Sequence, residues 1–195
     1  LQPYPFERLR QLFAGVTPPA AYSPISLGMG EPRHPTPQFI KDALSNNLGG
    51  LASYPATAGE PKLREAFTQW IQQRYALTLD PGSQVLPVNG SREALFAFAQ
   101  TIVDPSQGQP LVVCPNPFYQ IYEGAALLAG AQPYYAASDP GRNFAVNWDA
   151  VPEAVWQRTQ LLFVCSPGNP TGAVMPLSES VSYTHLRAHE TSLHL

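Results

Sequence analysis

The chain predicts an α/β fold with a largely parallel sheet, and three observations carry that expectation. Short apolar runs rich in Val, Leu and aromatics alternate with stretches of helical periodicity. Each such run is bounded by Gly, Pro, Asn or Ser, so the chain is punctuated as strand, turn, helix, turn, strand. That order is the pattern of βαβ units, whose crossovers make neighbouring strands parallel.

Taken along the chain, "QVLPV" (84–88), "PLVVC" (110–114), "QPYYA" (132–136) and "QLLFVC" (160–165) are the predicted strands. Before the first of them, Pro61 suits the opening position of a helix, where its missing N–H costs nothing. Leu63, Phe67, Trp70, Ile71 and Tyr75 then recur at helical spacing. A second helix is expected after Asn89-Gly90-Ser91, with Ala94, Leu95, Phe98 and Ile102 on its apolar face. A third runs from Tyr122 to Leu128 and stops at Gly130. No internal repeat is present.

Composition excludes several classes. At 44% hydrophobic residues the 195-residue chain can build a core. Its 22 prolines are dispersed between apolar runs, as ordered turns require, rather than gathered into a linker. A net charge of −3 with scattered basic residues gives no footprint for nucleic acid or an anionic membrane. No apolar stretch approaches the ~18 residues of a membrane helix, and the charged opening "LQPYPFERLRQLF" does not read as a signal peptide. Cys114 and Cys165 each end an apolar run, which fits two reduced core thiols of a cytoplasmic protein.

In open α/β sheets ligands bind beyond the carboxyl ends of the strands. Three strand-to-helix turns therefore matter. "VNGSREAL" (88–95) opens a helix, whose free N–H groups and positive dipole end suit a phosphate or carboxylate; an ordinary Asn or Ser cap would look similar. "CPNPFYQIY" (114–122) places two aromatics at a strand end, where a flat ring or the core could take them. "CSPGNPTG" (165–172) sets two prolines and two glycines around Asn169, a density that an ordinary turn seldom needs. An Asn held there can donate its side-chain N–H to an anionic oxygen.

"SPGNPTG" resembles the signature of the fold-type I pyridoxal phosphate aminotransferases. "ISLGMGEPRHPTPQFI" (25–40), "ASYPATAGEPKLREA" (52–66), "VNGSREALFAF" (88–98) and "VVCPNPFYQIYEGAALLAGA" (112–131) are similar to further blocks of that family, in its order and spacing. Together they reach from Tyr4 to about Glu179. The resemblance implies an N-terminal arm and small-domain segment over residues 1–40 and part of the large cofactor-binding domain over 41–179. It implies that Gly90, Ser91 and Arg92 hold the phosphate of pyridoxal 5'-phosphate, mainly through backbone N–H groups. Tyr119 would stack on its pyridine ring and Asn169 would donate to the ring's phenolate oxygen. Tyr54 would reach the phosphate bound by the other subunit of a homodimer, and Gly30 would lie against the substrate carboxylate.

The activity implied is amino transfer between N-succinyl-LL-2,6-diaminopimelate and 2-oxoglutarate, in lysine and diaminopimelate biosynthesis. Alternatives on the same fold are another amino-acid substrate, a C–S lyase, or a cofactor-sensing domain of a transcription regulator. The chain's lysines are Lys41 and Lys62, neither in the family's Ser-x-x-Lys setting. Both are expected on solvated helix surfaces. The Schiff-base Lys, the Asp for the ring nitrogen and the carboxylate-binding Arg of the family all lie C-terminal to its "NPTG" block. The chain by itself is therefore expected to be inactive. Its strands are expected to leave open edges and apolar faces, because later strands of the family insert between earlier ones.

The ending is of another kind. "VSYTHLRAHET" (181–191) is the translation of a transposon-end sequencing adapter, and Ser192–Leu195 keep its frame. Residues 180–195 are thus expected to be read-through of a library insert, with the biological text ending near Glu179. The start at Leu1 suggests that a few residues before it are lost as well. As protein, His185 and His189 would share a helix face as a weak zinc pair.

Overall fold

The computed structural model describes residues 4–25, 27, 28 and 30–177. Residues 178–195, with the adapter-like text and its histidines, lie outside the described residues. The chain divides into two compact units, Leu1–Pro87 and Val88–Leu195.

The first unit is helical. Helix α1 (Pro5–Leu12) and helix α3 (Pro61–Tyr75) both begin on the proline that their sequence puts in the first turn. Between them lies α2 (Gln38–Asn46). Helix α3 ends as Ala76 turns left-handed at φ 55°. Its Arg64 then donates Nη1 to the carbonyls of Pro81 (2.8 Å) and Gly82 (3.3 Å), which ties the turn at 80–83 to the helix. Asp80 closes that turn, accepting from the Gly82 N–H (2.9 Å) and the Ser83 hydroxyl (2.5 Å). Lys41 on α2 and Lys62 on α3 are exposed, as their sequence setting predicts.

The second unit holds the core. It runs α4 (Ser91–Ile102), β1 (Leu111–Asn116), α5 (Ile121–Leu128), β2 (Gln132–Asp139), β3 (Ala145–Val146), α6 (Glu153–Trp156) and β4 (Thr159–Leu162). The sheet order is β3-β2-β1-β4. Strand β1 pairs parallel with β2, Val113 opposite Tyr134, and parallel with β4, Val113 opposite Leu162. Strand β3 pairs antiparallel on the far edge of β2.

As the central strand, β1 is buried on both sides, so its sequence reads as a continuous apolar run. Val112 and Cys114 point to one face, with Ala99, Tyr122, Ala125, Ala126 and Phe163. Val113 points to the other, with Ala136, Val146, Trp148 and Val151. Among the described residues every buried apolar side chain belongs to this unit.

Three sequence expectations need correction. "QVLPV" (84–88) forms no strand: its Pro87 has no ladder donor, and no strand of the sheet lies along it. The three strands that do form from the predicted runs are direct neighbours, so the interruptions expected between them do not occur. Helix α4 buries Ala99, with Leu95 and Phe96 packed on the core, while Phe98 and Ile102 are about half exposed (51% and 45%). The helix is apolar on both the 94/98/102 and the 95/99/103 rows, so spacing alone did not choose between them.

Candidate functional site

The start of α4 leaves backbone donors without helix partners. Gly90 sits at φ 120°, ψ 145°, a backbone that side-chain-bearing residues rarely adopt. A Cβ placed there would lie 2.7 Å from Glu93 Oε2. The helix ladder begins with the Ala94 N–H donating to the Gly90 carbonyl at 3.2 Å. The N–H groups of Ser91, Arg92 and Glu93 precede that bond, and no side chain caps the helix. Ser91 and Arg92 are exposed. These donors stand at the positive end of a twelve-residue helix dipole.

The helix is anchored at its other end. The Asp104 N–H donates to Gln160 Oε1 at 2.7 Å, and Gln160 Nε2 returns a bond to the Asp104 carbonyl at 3.1 Å. In the last turn, Gln100 Nε2 donates to the Ala125 carbonyl of α5 at 3.0 Å. The C-terminus of α4 is thereby fixed at the start of β4, and about 18 Å of helix carry Gly90 toward the sheet's carboxyl edge.

The turn after β1 also lies at that edge. Phe118 stacks on Tyr135 (centroids 5.3 Å, planes 17° apart), and the Tyr135 hydroxyl donates to Glu123 Oε1 at 2.5 Å. Tyr119 is half-buried and meets Tyr122 edge to face at 5.9 Å and 83°. Tyr122 is in turn stacked on Phe163 at 4.3 Å and 11°.

The third turn follows β4. The Gly168 N–H donates to the Ala173 carbonyl (2.8 Å) and the Gly172 N–H to the Gly168 carbonyl (2.7 Å), closing a loop around Asn169. Ser166 Oγ accepts from the Met175 N–H at 2.9 Å, and the Cys165 thiol donates to the Pro167 carbonyl at 3.2 Å. Gly168 is required by space, since a Cβ there would lie 2.6 Å from Thr171 Oγ1. Gly172 is required by its φ of 71°. Asn169 is left exposed at the tip, its amide free of the loop's own bonding.

The topology thus carries Gly90, Ser91, Arg92, Tyr119 and Asn169 to one edge of the sheet. It does not enclose them. A cleft of about 410 Å³ lies beside Asn169, Cys165, Phe144 and Trp148, but neither Tyr119 nor the start of α4 lines it. We take the edge, not the cleft, as the candidate site, because the edge holds the unpaired donors and the aromatic platform. Gly30 and Tyr54 belong to the first unit. Tyr54 is fully exposed, and nothing stands within 4 Å of a Cβ built on Gly30.

Burial, with a smaller contribution from the Glu123 carboxylate, pushes the Cys114 thiol up to about 12, so Cys114 is an inert core thiol. Burial and the bond to Glu123 raise Tyr135 to about 12. Among the described residues no three His, Cys, Asp or Glu side chains gather as a metal site, and no helix is long and apolar enough to cross a membrane.

Sequence reasoning missed Tyr122, Phe163 and Glu93. Tyr122 and Phe163 looked like core residues, and only their ring geometry ties them to Tyr119. Glu93 could have been found: an acidic residue in the first helical turn of "NGSREAL" is placed to fold back on the helix start.

Comparison with known proteins identifies the family. The family described as "Aminotransferase class I and II" matches residues 22–190. An LL-diaminopimelate aminotransferase of Desulforudis audaxviator is 36% identical over 176 residues, covering 89% of this chain and 44% of the relative. The crystal structure of an aminotransferase from Neisseria meningitidis superposes with a TM-score of 0.90 at 46% identity, over 97% of this chain and 48% of that one. The N-succinyldiaminopimelate aminotransferase of Mycobacterium tuberculosis gives a TM-score of 0.77 at 32% identity, over 84% and 42% of the two chains. The chain spans less than half the length of these relatives.

Proposed function

The chain belongs to the class I and II aminotransferases, a pyridoxal phosphate-dependent family, and from that membership we propose that it carries the cofactor-holding half of a transaminase. The observation that carries this reading is the start of α4: Gly90 opens the helix with a backbone suited to glycine, and three backbone N–H groups are left without helix partners. A phosphate, with several acceptor oxygens and negative charge, fits those donors.

Each residue then has one task. The N–H groups of Ser91, Arg92 and Glu93 bind the phosphate, and the Ser91 hydroxyl can add a donor. Arg92 acts through its backbone. Tyr119 supports the ring by stacking, and the Asn169 amide donates to its phenolate oxygen. Tyr54, fully exposed, is available to a second copy of the chain in a homodimer. Gly30 offers its backbone to the substrate carboxylate. The bound cofactor supplies the carbonyl that receives the amino group and a ring that accepts the electron pair at Cα. The lysine that moves the Cα proton, the ring-nitrogen Asp and the carboxylate-binding Arg are assigned to a longer polypeptide of which this chain is the N-terminal part. The chain alone is assigned no turnover.

For substrate, we propose N-succinyl-LL-2,6-diaminopimelate with 2-oxoglutarate, in the cytoplasm. The similarity to the mycobacterial enzyme supports it. The relatives named LL-diaminopimelate aminotransferases favour unsuccinylated LL-diaminopimelate as the second reading.

The test starts at the gene. Source DNA is amplified from the region coding for residues 89–96 to beyond codon 179, and the complete open reading frame is expressed. The expected frame continues into an Asp-bearing strand and a Ser-x-x-Lys, and the purified protein aminates 2-oxoglutarate from the succinylated donor. Equal or better use of free LL-diaminopimelate would move the substrate to the second reading. Genomic DNA that encodes "VSYTHLRAHETSLHL" and a stop would end the enzyme proposal.

A further inference from the structure

Tyr122 stands where the parts of the site meet. It is 4% exposed, and its ring is held between Phe163, nearly parallel at 4.3 Å, and Tyr119, edge-on at 5.9 Å. Its N–H also donates to the Tyr119 carbonyl at 3.0 Å. Its hydroxyl faces the Cys165 thiol at the root of the Asn169 loop. Burial foremost, and then Cys165, hold that phenol well above its ordinary range, so it remains neutral.

A residue that only fills the core needs volume, and a Leu or Met would supply it. An edge-to-face pair does more, because the positive ring edge meets the negative ring face in few orientations. Tyr119 is only half-buried, and the described ring contact that fixes its plane is the one to Tyr122. Phe163 keeps Tyr122 from turning away, and the same residue extends β4, its N–H donating to the Val113 carbonyl at 3.0 Å.

Resting on the cofactor reading above, we infer that Tyr122 is a positioning residue that sets the angle of the Tyr119 ring against the cofactor ring, with Phe163 as its backstop. It touches neither substrate nor cofactor. Its effect passes through Tyr119.

The experiment uses the full-length polypeptide and its variants Tyr122→Met, Tyr122→Phe, Phe163→Leu, Tyr119→Met and the Tyr119→Met/Tyr122→Met pair. Three quantities are read: pyridoxal phosphate affinity, the visible circular dichroism induced in the cofactor per mole bound, and melting temperature. Loss of one aromatic pair predicts about 3- to 10-fold weaker binding for Tyr122→Met, together with a reduced induced signal. Tyr122→Phe keeps both rings and retains the wild-type signal. Phe163→Leu reduces it, and the double variant is no worse than Tyr119→Met alone. A Tyr122→Met protein with a lower melting temperature but a wild-type signal per mole would reduce Tyr122 to a volume filler. If Tyr122→Met does not fold, the same criterion is applied to Phe163→Leu. A folded wild type that binds no pyridoxal phosphate overturns the site assignment and this inference with it. Binding that is sensitive to Tyr119→Met but indifferent to Tyr122→Met and Phe163→Leu overturns this inference alone.

Discussion

Gly90 carries a structural constraint and, in the proposed site, a functional one. Its φ of 120° belongs to glycine, and a Cβ would press on the Glu93 carboxylate at 2.7 Å. The carboxylate is the end of a flexible chain and can move, so most of the cost of Gly90→Ala is backbone strain. We expect a loss of about 1–3 kcal/mol, read as a shift of the urea midpoint. Phosphate affinity should fall as well, because relief of that strain shifts the N–H groups that open α4. Cys114 makes a second prediction at this scale. Its thiol stays protonated in the folded chain up to about pH 12, whereas an unfolded cysteine ionises near 8.5. The folded state thus holds a proton that the unfolded state releases. The contribution is complete below pH 8 and is lost as pH rises through 9 toward 12. Denaturant midpoints of Cys114→Ala should therefore fall less steeply over pH 8–10.5 than those of the wild type, although the variant starts lower. Equal slopes would remove the thiol from the account.

The elements were legible where pattern and packing agree. The runs at 110–114, 132–136 and 160–165 became β1, β2 and β4, and the helices after Pro61 and Gly90 formed where their capping residues put them. Failures came where two readings fit one pattern. Segment 84–88 has the apolar content of a strand, but a strand also needs a neighbour, and none lies beside it. The two-residue β3 is too short for any period to show; the Asp139 turn made it, by accepting the Gly141 N–H at 2.8 Å and reversing the chain. The candidate site divides the same way. Glycine and proline density marked the turns at 90 and 166–172, whereas the bracing of Tyr119 depends on ring angles that sequence does not encode locally. A polar link latches the C-terminal end of α4. Gln160 satisfies both the N–H and the carbonyl of Asp104. Gln160→Leu leaves the partly buried Asp104 N–H unpaired and its carbonyl with only the Gln107 N–H at 3.4 Å, and we expect a loss of about 1–3 kcal/mol. Faster hydrogen exchange should follow at the C-terminal turn of α4, with little change at β1. Uniform change across the unit would argue against a local latch.

For the whole molecule, apolar surface is the dominant fact. Among the described residues every buried apolar side chain lies between Ala99 and Phe163, while large side chains such as Leu86 and Val88 stay in water, at 68% and 53% exposure. Phe98 and Ile102, both about half exposed, lie one helical turn apart on the outer row of α4, a stripe that nothing described in the second unit covers. Such a stripe drives association when it is left open. The chain also spans less than half the length of its relatives, and the proposed remainder of the polypeptide is the natural cover for this row. The 195-residue chain alone should accordingly self-associate at micromolar concentration, visible as a mass above 21.2 kDa in light scattering behind size exclusion. Replacing Phe98 and Ile102 together with Glu should shift the mass toward the monomer without loss of helix signal, because neither side chain serves the core. The full-length protein should respond in the opposite way, since the same pair of charges would then be buried without partners, at a cost of several kcal/mol. A chain that stays monomeric, or a full-length protein indifferent to the double substitution, would show that the outer row of α4 faces solvent by design.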